Sequence, residues 1–248
     1  MTTPISRRVL SRARMLDFLD EMAKTPGAEA RSLYLPPGLP PDEAEIFLKE
    51  HALGIPTEVS GLAGRSKTGA VFFLTPEQKY LALPPFPIAE KYAANGLAVA
   101  PLQSLLKHNY RLALVLVRLG SYAIGVVEGE KLVNSKVGTG LVHGRHRQGG
   151  SSAHRFERHR DKQIEYFLTR VCQHARENIE PQAKALDYVV YGGAWTTIQL
   201  LQKQCPFLGR LDKPTLPPLL DIPEPRQAVL ATAIGRIWSS MMLAWKED

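Results

Sequence analysis

Near the N-terminus the chain sets Val9, Leu10, Ala13, Leu16 and Leu19 at helical spacing, which predicts an amphipathic helix over residues 6–23 with arginines on its other face. RSLYLPPG then reads as a short strand stopped by two prolines. Pro41-Asp42-Glu43 opens a second helix with acids in its first turn, where the helix dipole favours them, and Ala44, Phe47, Leu48 and Ala52 form its apolar face. AVFFL and KYLAL are strand-like runs flanking a Thr-Pro-Glu turn, and the PPFP that follows leaves the sheet. Residues 1–100 therefore read as a small N-terminal α/β domain.

A second domain is predicted over residues 101–248. LALVLV is an unbroken apolar run, as in a strand covered on both faces. Gly120-Ser121 turns the chain into YAIGVVEG, and Glu130 leads into KLVNSKVG, a spacing that predicts a three-stranded meander. A long helix follows from Ser152 to about Glu177. Next come the strand LDYVVYGG, the helix AWTTIQLLQKQ and a proline-rich passage with at most one short strand. Val229, Ala233, Ile237, Met241 and Ala244 predict a last helix over residues 226–245. Meander followed by strand–helix alternation makes the fold class α/β with a mixed sheet. No internal repeat is visible.

The long helix is asymmetric. Ile164, Phe167, Leu168, Val171 and Ala175 make one apolar stripe, whereas Phe156 is the sole large apolar residue between Ala153 and Gln163. That first half has nothing to bury, so it is expected to project from its domain.

Charge gives the projection a purpose. The formal net charge is +7, and four of the seven histidines (His143, His146, His154 and His159) fall in one segment with five arginines. Its tip, GRHRQGGSSAHRFERHR, surrounds Gly149-Gly150, whose backbone can approach a ligand closely. Ser151 or Ser152 is a candidate N-cap. Arg145, His146, Arg147, Arg155, Arg158 and Arg160 are candidate RNA contacts. Composition alone favours an ordinary solvated loop. Two features favour phosphate instead: arginine replaces lysine almost throughout, and the run is joined to a Gly-Gly turn on a projecting helix.

Other chemistry finds less support. The chain has two cysteines, Cys172 and Cys205, and lacks CxxC and zinc spacing. A disulfide framework is therefore excluded, Cys172 is expected to be a packed thiol beside Val171, and the compartment is expected to be the reduced cytoplasm. No metal and no cofactor is expected, since the arginines around the loop histidines repel a further cation. No apolar run reaches the length of a membrane span, and the basic N-terminus lacks the apolar stretch of a secretory signal. GLAGRSKT resembles a P-loop, but Ser66 stands where the second glycine belongs, so it reads as a basic loop. Trp195, Trp238 and Trp245 fall in helical patterns and read as core. Glu157, Asp161 and Glu165 are expected to pair with neighbouring arginines.

The segment HGRHRQGGSSAHRFERHRDKQIEYFLTRV resembles the tip of the middle domain of archaeal and eukaryotic class-I peptide-release factors. SLYLPPG, AVFFL, PPFP, PLQSLL, LALVLVRLGSYAIGVVEG and LDYVVYGG follow in the order of that family, so the likeness covers most of residues 30–245. RQGGS is more similar still to the release-factor-like peptidyl-tRNA hydrolases of ribosome quality control, the VLRF-type proteins, which have bacterial relatives. The resemblance implies a mixed-sheet, RNase H-like middle domain with a projecting loop-helix. It also implies a role in freeing nascent chains from stalled large ribosomal subunits, with rRNA and peptidyl-tRNA as partners. No counterpart of the family's GTPase-docking C-terminal domain is expected, and a monomer is expected.

In the family the loop orders a water against the ester joining peptide to tRNA. Aligned on Gly-Gly-Gln, the glutamine position is Ser151; aligned on Gly-x-x-Gln, it is Ser152; Gln148 precedes the glycines. Gly149, Gly150, Ser151, Ser152 and Gln148 are thus the candidate catalytic residues. A backbone N–H survives the change to serine, and a serine hydroxyl can hold a water at shorter reach. The alternative is a ribosome- or tRNA-binding factor that keeps the fold and lacks the hydrolysis.

Overall fold

The computed structural model describes residues 5–25, 29–52, 54–144 and 153–246, with Ala153 and His154 described in their backbone only. The chain divides into two units, Met1–His108 with Gly235–Asp248, and Asn109–Ile234. The sequence boundary at 100/101 differs from this for two reasons. Ala100–Lys107 folds as a helix of the first unit, and the C-terminal segment returns to the first unit as a strand.

In the first unit, β1 (Ser6–Leu10), β2 (Arg31–Leu35), β3 (Ala70–Leu74), β4 (Lys79–Leu83), β5 (Tyr92–Asn95) and β10 (Ser240–Trp245) form one sheet in the order β1-β10-β4-β3-β2-β5. All its pairings are antiparallel. Helices cover both faces. Phe72, Leu81, Leu243 and Trp245 pack with α2 (Pro41–His51) and α3 (Thr57–Arg65), while Tyr34, Phe73 and Met242 pack with α1 (Arg12–Met22) and α4 (Ala100–Lys107). This is why AVFFL is buried at every position and shows no polar alternation.

Both predicted terminal helices are corrected here. Residues 6–10 are a strand, and the helix starts only after Ser11, whose hydroxyl accepts from the Arg14 amide. The C-terminal helix, α8 (Gln227–Ile237), stops short of SMMLAW, which is β10. Each strand supplies the other's hydrogen bonds, with Arg8 opposite Met242 and Leu10 opposite Ser240. Pairing partners more than two hundred residues apart outweigh a local 3.6-residue spacing. GLAGR is the end of α3 and not a loop. Trp238 and Trp245 are buried, but Trp195 is 59% exposed.

In the second unit, β6 (Arg111–Arg118), β7 (Ser121–Glu128) and β8 (Lys131–Thr139) form the expected meander, and β9 (Tyr188–Gly193) joins parallel to β6. The sheet is mixed, in the order β8-β7-β6-β9. Its β9 edge is covered by residues 214–220, whose backbone bonds to that strand at Val189 and Tyr191. The connection from β8 to β9 contains α5 (Ala153–Ile179). Phe167, Leu168, Val171, Ala175 and Ile179 of this helix pack on Val115, Ile124 and Val126 of the sheet. α6 (Trp195–Gln204) and the single turn α7 (Pro206–Gly209) pack against the same helix.

The expectations of a free thiol at Cys172 and of no disulfide are both overturned, and the inference of a reduced compartment loses its basis. Cys172 on α5 and Cys205 at the end of α6 form a disulfide, their Cα atoms 5.4 Å apart. The pairing arises because the two helices converge over one core, a proximity that the 33-residue separation in sequence does not encode.

Gly193 is the tightest backbone position in this unit. Its φ of +122° lies in a region side chains avoid, and a Cβ there would sit 1.9 Å from the Val117 carbonyl oxygen. Gly193→Ala is predicted to lower stability by about 2–3 kcal/mol or more, read as a fall in Tm. Gly209→Ala, where nothing lies within 4 Å, is predicted to stay within about 0.5 kcal/mol of the parent. Equal Tm values for the two variants would contradict the packing described.

Candidate nucleic-acid interface

At 100° per residue, Arg155, Arg158, His159 and Lys162 fall on the side of α5 opposite its core-facing residues Ile164, Phe167 and Val171. Residues 155–159 are exposed, Phe156 by 54%, so the first turns of the helix lie in solvent as the sequence predicts. This end of the helix is electrostatically unfavourable by itself. Its first turn has no acid, and cations stand where the helix dipole is positive. An anion docked there relieves both terms, and neutralising the arginines does so as well. Among the described residues no ion pair involves Asp161, Glu165 or Arg155. The pairing expected of the two acids is therefore not found.

The chain rising from β8 is attached to this helix at three points. Arg170 donates to the Thr139 carbonyl. Arg160 Nε donates to the His143 carbonyl at 2.9 Å, and the His143 amide donates to Gln163 Oε1 at 3.1 Å. Gly140 lets the strand pass: a Cβ there would lie 2.6 Å from an Arg170 nitrogen and 2.7 Å from the Phe167 ring. The Tyr122 phenol packs below, and burial raises its pKa while Arg170 opposes the rise, so the hydroxyl stays protonated at neutral pH. The His143 and His159 rings lie 6.4 Å apart beside the clamp.

Of the residues singled out in the sequence, Arg155, Arg158 and Arg160 are described. Arg155 and Arg158 lie on the outward stripe. Arg160 faces the other way and commits its Nε to the loop's own backbone, so it positions the rising limb. Arg145, His146, Arg147, Gln148, Gly149, Gly150, Ser151 and Ser152 lie outside the described residues. Gln163, Arg170 and Gly140 were invisible to sequence reasoning, because each acts through a contact with a backbone group 20 to 31 residues away or with a side chain that folding brings close. Among the described residues no group of three His, Cys, Asp or Glu side chains is placed to hold a metal ion.

The clamp makes its own prediction. Gln163→Ala removes one neutral hydrogen bond, worth about 1 kcal/mol, and is predicted to speed exchange of the His143 amide roughly fivefold. The overall Tm should change little. An unchanged exchange rate would show that the limb is held by something else.

Residues 110–242, more than half the chain, match the family model described as "Actinobacteria/chloroflexi VLRF1 release factor". Similar curated proteins are archaeal peptide chain release factor subunit 1 sequences. That of Aeropyrum pernix is 24% identical over 87% of this chain and 66% of its own length. That of Archaeoglobus fulgidus is 28% identical over 44% of this chain and 27% of its own. The chain thus spans less than two thirds of these relatives. The crystal structure of the archaeal translation termination factor aRF1 aligns over 92% of this chain and 73% of that one, at 20% identity and a TM-score of 0.38.

Proposed function

The chain belongs to the actinobacterial and chloroflexi VLRF1 release-factor family, and on that premise we propose that it hydrolyses peptidyl-tRNA on stalled large ribosomal subunits. The observation that carries this reading is the outward cationic stripe on α5. The stripe stands at the helix end that directly follows Gly149-Gly150, and the limb leading there is clamped by Arg160 and Gln163. Arg155 and Arg158, with Arg145, His146 and Arg147, hold phosphates of rRNA and tRNA as charge-assisted, two-pronged contacts. The two glycines allow the backbone to reach the CCA end.

Water then attacks the ester carbonyl carbon, the bond to the ribose oxygen breaks, and a proton passes to that oxygen, releasing the peptide as an acid. The backbone N–H and hydroxyl of Ser151 or Ser152 hold the water, with Gln148 beside them. The ester is already activated, so positioning and exclusion of bulk water do most of the work, an effect worth roughly 7–11 kcal/mol in favourable cases.

The absence of glutamine at 151 and 152 favours a second reading: a factor that binds the subunit and releases nothing. Peptide release from peptidyl-tRNA on isolated large subunits separates the two. Gly149→Val and Gly150→Val are predicted to abolish release while subunit binding changes little. Release unaffected by both would remove the loop from the mechanism; binding without release in the parent chain would establish the second reading. Ser151→Gln is predicted to raise release if position 151 holds the water. Arg155→Gln with Arg158→Gln is predicted to weaken binding and flatten its dependence on salt, by about 0.7–0.9 in log–log slope for each phosphate no longer neutralised. A slope identical to that of the parent would free these two arginines from any phosphate role.

A further inference from the structure

We infer that the first unit carries a nucleotide site of its own, in the cavity between α1 and the outer corner of the six-stranded sheet. The cavity holds about 370 Å³ and lies between Arg8, Arg14, Phe18 and Tyr80. Its floor is one cross-strand row. Ser6 of β1 pairs with Ala244 of β10, which pairs with Tyr80 of β4. The first two side chains are small, and that leaves the space. One wall is aromatic: Phe18 and Tyr80 meet edge to face with centroids 5.1 Å apart.

The mouth is cationic. Arg8 follows Ser6 by two residues on β1 and so shares its face, and Arg14 precedes Phe18 by four on α1 and so shares its flank. Neither guanidinium has a hydrogen bond or ion pair among the described residues, and no carboxylate lines the cavity. The neighbouring Arg12 is the contrast, since it donates to the Leu106 and Lys107 carbonyls and stacks over Trp238 at 4.2 Å. The first turn of α1 contains Arg12 and Arg14 and no acid, so helix dipole and side chains give the mouth one sign.

An aromatic wall beside two unpaired planar forks matches one ligand chemistry, a base against the face of one ring and a phosphate between the arginines. Burial raises the Tyr80 pKa, which keeps its hydroxyl a donor. Gln78, on the same lining, is held by donating to the Trp245 carbonyl at 2.7 Å, so the site is pre-set on one side. The nucleotide is either free or one unit of single-stranded RNA. The inference stands apart from the release reading, because it uses no residue of the α5 loop.

The test reads the site locally. Met242 lines the cavity, and its methyl resonance, assigned with Met242→Leu, is followed while adenosine monophosphate or a short oligoadenylate is added to the full chain. A saturable shift is expected, with affinity lowered roughly tenfold in Arg8→Gln/Arg14→Gln and roughly fivefold in Phe18→Leu. Saturation by the mononucleotide assigns the site to a free nucleotide, and saturation by the oligomer alone assigns it to RNA. No shift with either, a shift undiminished in the double variant, or an equal shift with inorganic phosphate would overturn the inference.

Discussion

Burial of the Phe167–Ile179 stripe against β6 and β7 is the interaction on which the α5 interface rests. A helix of 27 residues, about 40 Å long, uses its second half as an anchor and leaves residues 155–159 exposed to solvent. The anchor carries the loop-bearing end. With it secured, the helix tolerates cations at the wrong end of its dipole and exposes them at little conformational expense, since the backbone is already ordered. Charge of this kind on a frayed segment would lose much of its binding energy to ordering.

The attachment is reinforced from several directions. The disulfide between Cys172 and Cys205, the Gln204 bonds to Glu165 and Thr169, and the packing of Arg176 over Phe207 tie α5 to the helices beside it. Arg170, Gln163 and Arg160 tie it to the limb coming from β8. The segment 145–152 therefore starts and ends on elements whose own positions are fixed. Positioning is what the proposed hydrolysis of an activated ester would ask of the chain, and a stiff stem suits that role.

Where pattern and burial coincide, the chain was legible. The meander, the parallel return of β9 and the two-part character of α5 all follow from runs such as LALVLV and from the break in apolar content at Gln163. The termini were not legible, since Val9 and Leu10 fit a helical stripe as well as a strand and only the pairing of β1 with β10 decides. Trp195 shows the same limit in reverse: a large apolar residue at the first position of α6 lies exposed although the pattern places it in the core. At the site, arginine content and the Gly-Gly turn pointed to the segment. The residues that hold it, Gln163 and Arg170, look like ordinary surface polars until their backbone partners are seen. Arg160 shows what composition leaves out, since its Nε is bonded to the His143 carbonyl and ties the limb to the helix.

Under the proposed function, α5 presents its solvent-exposed end to a ribosomal partner while its buried half stays unchanged. Hydrogen–deuterium exchange of the chain with and without large ribosomal subunits carrying peptidyl-tRNA measures this directly. Strong new protection confined to peptides spanning residues 145–162, with residues 167–179 equally slow in both states, is the expected result. No protection over 145–162, or binding that loosens 167–179, would contradict it.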